Sequence, residues 1–127
     1  MGGNAMSTMK AWIFAAGVGS LVLAGCQTAQ PLYYWGDYEP LTYATFAKPD
    51  KASPESQVAQ LEENLQKSAA QNRQVGPGFH AYLGYLYLQL GKTDAAAQQF
   101  QTEKALFPES GQLMDRMLTK LKGKGAA

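Results

Sequence analysis

Three kinds of residue in this 127-residue chain offer chemistry: one cysteine, one histidine and a few neighbouring carboxylates. Cys26 carries the only thiol, so no intramolecular disulfide can close and a cysteine-based zinc site is excluded. His80 is the only imidazole, so no catalytic triad or histidine cluster can be assembled. Set among aromatic residues on a helical face, it reads as a packed or groove-lining side chain. Glu62-Glu63 and Asp37-x-Glu39 are the acid pairs. A glycosidase needs two carboxylates facing each other across a pocket, whereas these read as a solvated helix face and a turn. Gly76-Pro77-Gly78 is followed by no Lys-Ser or Lys-Thr, so it is not a phosphate loop. No catalytic residues, no metal site and no dissociable cofactor are expected.

The placing of Cys26 is informative. It closes the run Leu23-Ala24-Gly25-Cys26 after an apolar stretch from Ala11 to Ala24, itself preceded by Lys10. That length fits the roughly 7–15 residues of a secretory signal core and falls short of the about 20 needed to span a bilayer. The run resembles a lipobox, in which the cysteine is acylated and the chain is cut just before it. Residues 1–25 are therefore expected to be a lipoprotein signal peptide, and Cys26 the lipidation site that joins the protein to membrane lipid. The rival signal fails, because N-myristoylation wants Ser or Thr where this chain has Met6. By the same resemblance, Gln27 in place of the aspartate associated with inner-membrane retention implies the outer membrane, and the periplasmic face is the expected side.

With Lys10 removed, ten Lys and Arg face ten Asp and Glu. A neutral chain with no basic stripe has no electrostatic footprint for nucleic acid. Arg116, Lys120, Lys122 and Lys124 cluster near the end, where cations favour a helix C-terminus. What is left after cleavage is one small domain. Gln27 to Pro31 forms a short tether, which at about 3.3–3.6 Å per residue keeps the folded part near the membrane.

Residues 26–53 divide into that tether, an aromatic arm and a polar linker. The arm, Leu32 to Phe46, holds six of the twelve aromatic residues downstream of Cys26. Gly36, Pro40 and the lack of a clean period argue against a long regular element, leaving at most single helical turns. Its rings complete the core, offer an aromatic platform to another protein or a glycan, or lie at the lipid headgroup level; Tyr34, Trp35 and Tyr38 are candidate partner contacts. Ser53-Pro54-Glu55 reads as a helix start. Val58, Leu61, Leu65 and Ala69 then mark the inner face of an amphipathic helix to about Gln71.

His80-x2-Leu83-Gly84-x2-Tyr87, Ala96-x3-Phe100 and Pro108 reproduce the order and spacing of a tetratricopeptide repeat, with Gly91 in the turn. Gly84 and Ala96 are small where two helices must approach closely. Gly91-Lys92-Thr93-Asp94 is expected to supply the turn and the cap of the second helix. Glu103 and Lys104 depart from the pattern, which has a small and an apolar residue there. Ser110 is placed to cap a last helix with Leu113, Met114, Met117, Leu118 and Leu121 as one stripe. The expected fold is all-α: a tetratricopeptide-repeat-like hairpin between an N-terminal and a C-terminal helix over residues 54–122, the aromatic arm before it, and a flexible tail at 123–127.

Taken together, Tyr34-Trp35-Gly36-x-Tyr38-Glu39, the helix from Pro77-Gly78 to Tyr87, and Glu103 to Ser110 with Met114-Asp115-Arg116 resemble a family of small Gram-negative lipoproteins known only as a domain of unknown function. The resemblance implies an outer-membrane lipoprotein, often encoded beside a lipoprotein similar to the curli secretion channel, which becomes a candidate partner. It carries over no catalytic residue. The expected role is a protein-binding module or assembly factor of the cell envelope, with His80 and Tyr85 on the groove side of the hairpin as further contacts. The alternative is a structural lipoprotein associating with peptidoglycan or the membrane surface.

Overall fold

In the computed structural model, which describes residues 29–125, helix α2 (Pro54–Ala70) begins where local chemistry places it. Ser53 Oγ accepts from the Ser56 amide at 3.2 Å, and Pro54 and Glu55 fill the first turn. Its end is equally local. Asn72 adopts φ 52°, the Arg73 amide reaches Ser68 O at 2.9 Å and the Asn72 amide reaches Ala69 O at 3.0 Å, forming a Schellman motif. The same device ends α3 (Phe79–Gln89): Gly91 sits at φ 71°, with Lys92 N to Tyr87 O at 2.9 Å and Gly91 N to Leu88 O at 3.1 Å. Helix α4 (Thr93–Leu106) follows after this short turn, and a 3-10 turn at Pro108–Ser110 leads into α5 (Gly111–Gly125). The signal peptide, Cys26 and Gln27 lie outside the described residues.

The chain is all-α, and its helices enclose one core. Leu61, Phe79, Leu83, Leu86, Ala96, Phe100 and Met114 are buried at its centre. Helices α3 and α4 approach closely: a Cβ on Gly84 would lie 2.6 Å from the Phe100 ring. Ala96 is also fully buried, so small residues stand where the spacing requires them.

Five local expectations need correction. The arm is not irregular throughout, because Tyr38–Ala47 forms a ten-residue helix, α1; Pro40 falls in its first turn, where a missing N–H costs nothing. The inner face of α2 is not wholly apolar: Gln57, Asn64 and Ser68 are buried beside Val58 and Leu61, while Ala69 is exposed. Lys92, with no side-chain cap bond, stands at the start of α4, so Asp94 contributes only an acid in the first turn. The Ser110 hydroxyl donates to Glu103 Oε1 at 3.4 Å, across to α4. Finally α5 runs through Gly123 to Gly125, and Leu113 leaves its apolar stripe to stand 57% exposed.

Candidate functional site

The arm docks first through its backbone. The Tyr34 amide donates to Gln74 O at 2.8 Å, making a single parallel bridge with Val75. Arg73 Nη2 donates to Tyr33 O at 2.6 Å, and its guanidinium lies 5.8 Å from the centre of the Tyr34 ring. Gly36 then turns the chain at φ 48° into α1.

That seating aligns a run of rings. Phe107 meets Tyr33 edge-on at 5.9 Å, Tyr33 meets Trp35 at 6.1 Å, and Trp35 meets Tyr38 at 5.7 Å. Tyr38 stacks on Phe79 at 5.7 Å and meets Tyr82 edge-on at 6.0 Å, and Tyr82 stacks on Tyr85 at 6.3 Å. The Trp35 indole lies on Gly76, where an added Cβ would come within 2.3 Å of it. Gly76 is therefore a seat for the indole as well as part of a turn.

Tyr82 is fixed at its polar end. Its hydroxyl donates to Gln57 Oε1 and is also hydrogen-bonded with the Thr45 hydroxyl, while Gln57 Nε2 donates to Ala52 O at 3.1 Å. Burial pushes the Tyr82 hydroxyl above its ordinary pKa, the Thr45 bond opposing it, and burial together with the nearby Glu103 carboxylate pushes up Tyr38. Both phenols stay protonated at physiological pH. Tyr87 is raised furthest, to about 12, first by burial and then by its hydrogen bond to Glu62 and that carboxylate's charge.

Glu103 is the residue that sequence reasoning undervalued. It is fully buried, and its carboxylate accepts from the Gly78 amide at 2.6 Å and the Ala81 amide at 3.3 Å. It thus caps the N-terminus of α3 from the facing helix, where the helix dipole favours an anion. Gly78 has φ 92° and no side chain with which to cap. The signal was a lone acid at an otherwise small position opposite a helix start.

The candidate contacts separate by exposure. Trp35 and Tyr38 are partly buried in the ring run, Tyr34 is partly buried against Arg73, and His80 is buried, its Nδ1 2.7 Å from Gln99 Oε1. Tyr85 stands 42% exposed at the outer end of the run. Spacing did not single out Tyr43 and Phe46, 68% and 81% exposed on the outer face of α1. Cys26 lies outside the described residues. Among the described residues no group of three His, Cys, Asp or Glu is placed to hold a metal ion, and no helix is long and apolar enough to cross a membrane.

A family model described as a domain of unknown function (DUF4810) matches residues 32–117. No curated protein and no solved structure matches the chain.

Proposed function

The chain belongs to this family of unknown function, and from that premise we propose that it is an outer-membrane lipoprotein, acylated at Cys26, acting as a protein-binding module or assembly factor in the cell envelope without catalytic activity of its own. The observation that carries this reading is the way Tyr85 is held. Its ring stacks on Tyr82, which is gripped by Tyr38 on its edge and by Gln57 and Thr45 at its hydroxyl. A partly exposed ring whose support is already ordered loses little entropy on binding, which is what a protein partner's pocket rewards. The repeat-like spacing from His80 to Pro108 adds to this, since such hairpins offer the exposed side of their first helix to peptides. A lipoprotein similar to the curli secretion channel is the first partner to test.

Cross-linking in intact cells followed by mass spectrometry tests the reading. Protein adducts that fall when Tyr85→Ala is introduced are the expected result. Adducts to glycan strands alone would favour a structural lipoprotein bound to peptidoglycan. Intact-mass analysis of the purified protein decides the anchor: an uncleaved, unacylated chain would remove it.

A further inference from the structure

We propose that the Tyr43–Phe46 face of α1 lies in the headgroup region of the phospholipid bilayer, as a second membrane contact that fixes how the helical unit rests on it; this rests on the reading of Cys26 as lipidated. Tyr43 and Phe46 are 68% and 81% exposed, and at a spacing of three residues they share one face of a helix. That face cannot turn inward, because the opposite side is engaged. Leu41 is buried in the core, Thr45 is bonded to Tyr82, and Tyr38 stacks on Phe79. Two large rings are thus held outward by the packing of the rest of the helix.

The chain between the lipid and the fold argues for a bilayer as occupant. Only Gln27 to Pro31 separate Cys26 from Leu32, where the helical unit begins. Six steps at about 3.6 Å reach no further than roughly 22 Å, whereas a unit of about 100 residues has a radius of gyration near 13 Å. The tether therefore holds the unit within about its own width of the bilayer, close enough for one face of it to rest on lipid. Of its helices, α1 is nearest in sequence to that tether and carries the paired exposed rings. Their chemistry suits the boundary: the Tyr43 ring has an apolar body and a polar tip, Phe46 is apolar throughout, and exposed Lys48 follows with a cation for lipid phosphate. At ten residues α1 lies on a membrane rather than across it. The acyl chains supply the affinity, and the two rings supply orientation.

The test places a photo-reactive p-benzoylphenylalanine at position 43, 46 or, as a control, in place of exposed Gln98 on α4, in the full chain expressed in cells. Adducts are identified by mass spectrometry, and Cys26 acylation is read from the intact mass of the same samples. Phospholipid adducts at 43 and 46 several-fold above those at 98 are expected. Protein adducts in their place would show that this face docks a protein, and lipid adducts equal at all three positions would show no preferred orientation; either result overturns the inference while an acylated Cys26 keeps the anchor. An unacylated Cys26 overturns both. Because Phe46 is largely exposed, the replacement does not disturb the core.

Discussion

Two rings in this protein are seated on glycines, and the two seats differ in how far the chain travels to build them. Phe100 on α4 packs on Gly84 of α3, across the one short loop that joins the two helices, and is almost fully buried. Trp35 packs on Gly76, brought together across α1 and α2, and remains partly exposed. The first seat lies between two helices whose backbones are fixed by their own hydrogen bonds. The second lies between an arm and a turn, held by one bridge at Tyr34 and by Arg73. One contact is built into adjoining elements, and the other is a docking event within the fold.

The largest effects should therefore fall on the first seat. Ala96→Arg puts a charge at a fully buried position on α4 and should cost about 3–5 kcal/mol, a large part of the roughly 5–15 kcal/mol that holds a small domain together. Gly84→Val drives a side chain into Phe100 and should cost about 1–3 kcal/mol. Gly76→Val should cost less, because the indole can swing outward where Phe100 cannot. Thermal melts of the chain from residue 26 carrying Cys26→Ser, followed by circular dichroism, give the order. If Gly76→Val proves the more damaging, the arm is core and the comparison breaks.

Glu103→Ala comes next. It strips the cap from Gly78 and Ala81 and leaves their amides facing a buried void, at a cost of about 1–3 kcal/mol. Glu103→Gln keeps one acceptor and should recover part of that loss. Equal losses in the two variants would mean that the charge, and not the hydrogen bonds, holds the start of α3.

How legible each seat was follows from its separation along the chain. Gly84, Ala96 and Phe100 were readable because their spacing is fixed by helix geometry within one hairpin. The arm's rings were visible as a cluster, but nothing local tells whether Trp35 meets Gly76 or solvent. Gly36 and Pro40 suggested a break, although a proline in the first turn and a glycine before it are compatible with the helix that forms. The buried polar residues of α2 escaped for a similar reason. Gln57 is satisfied by Ala52, Thr45 and Tyr82, partners on other elements that amphipathic spacing does not reveal. Glu103 looked like a departure from a pattern because its partners, the amides of Gly78 and Ala81, lie across the hairpin.

Tyr87 offers a finer probe of the hairpin, through pH. Its pKa in the folded protein is raised to about 12 from an ordinary 10.0, so the folded state holds a proton that the unfolded state has released between those values. The stabilisation is fully present below pH 10 and is lost as pH rises through about 12, because stability falls wherever the native state binds more protons. The loss is on the order of 2 kcal/mol. Urea melts at pH 9 and pH 11.5 should show a steeper decline for the parent than for Tyr87→Phe, which cannot titrate. Parallel declines would assign the alkaline loss to Tyr38 on α1 and Tyr82 on α3.

The smallest effect is expected at the two rings that the fold does not use. Tyr43→Ser and Phe46→Ser remove side chains that stand 68% and 81% exposed, and surface changes of this kind move stability by no more than about 0.5 kcal/mol. Serine has a lower helix propensity than the best formers, by a few tenths of a kcal/mol, and α1 spans ten residues, so a slight loss is allowed. Trp35→Ala, a few residues earlier in the same aromatic segment, should cost about 2 kcal/mol or more, since it empties the seat on Gly76 and removes the ring between Tyr33 and Tyr38. The contrast is the measurement: melts of the three variants, made in the Cys26→Ser chain, should fall into one large and two negligible shifts. A Phe46→Ser shift as large as that of Trp35→Ala would mean that α1 buries this ring in solution, and the aromatic segment would then have no outward face.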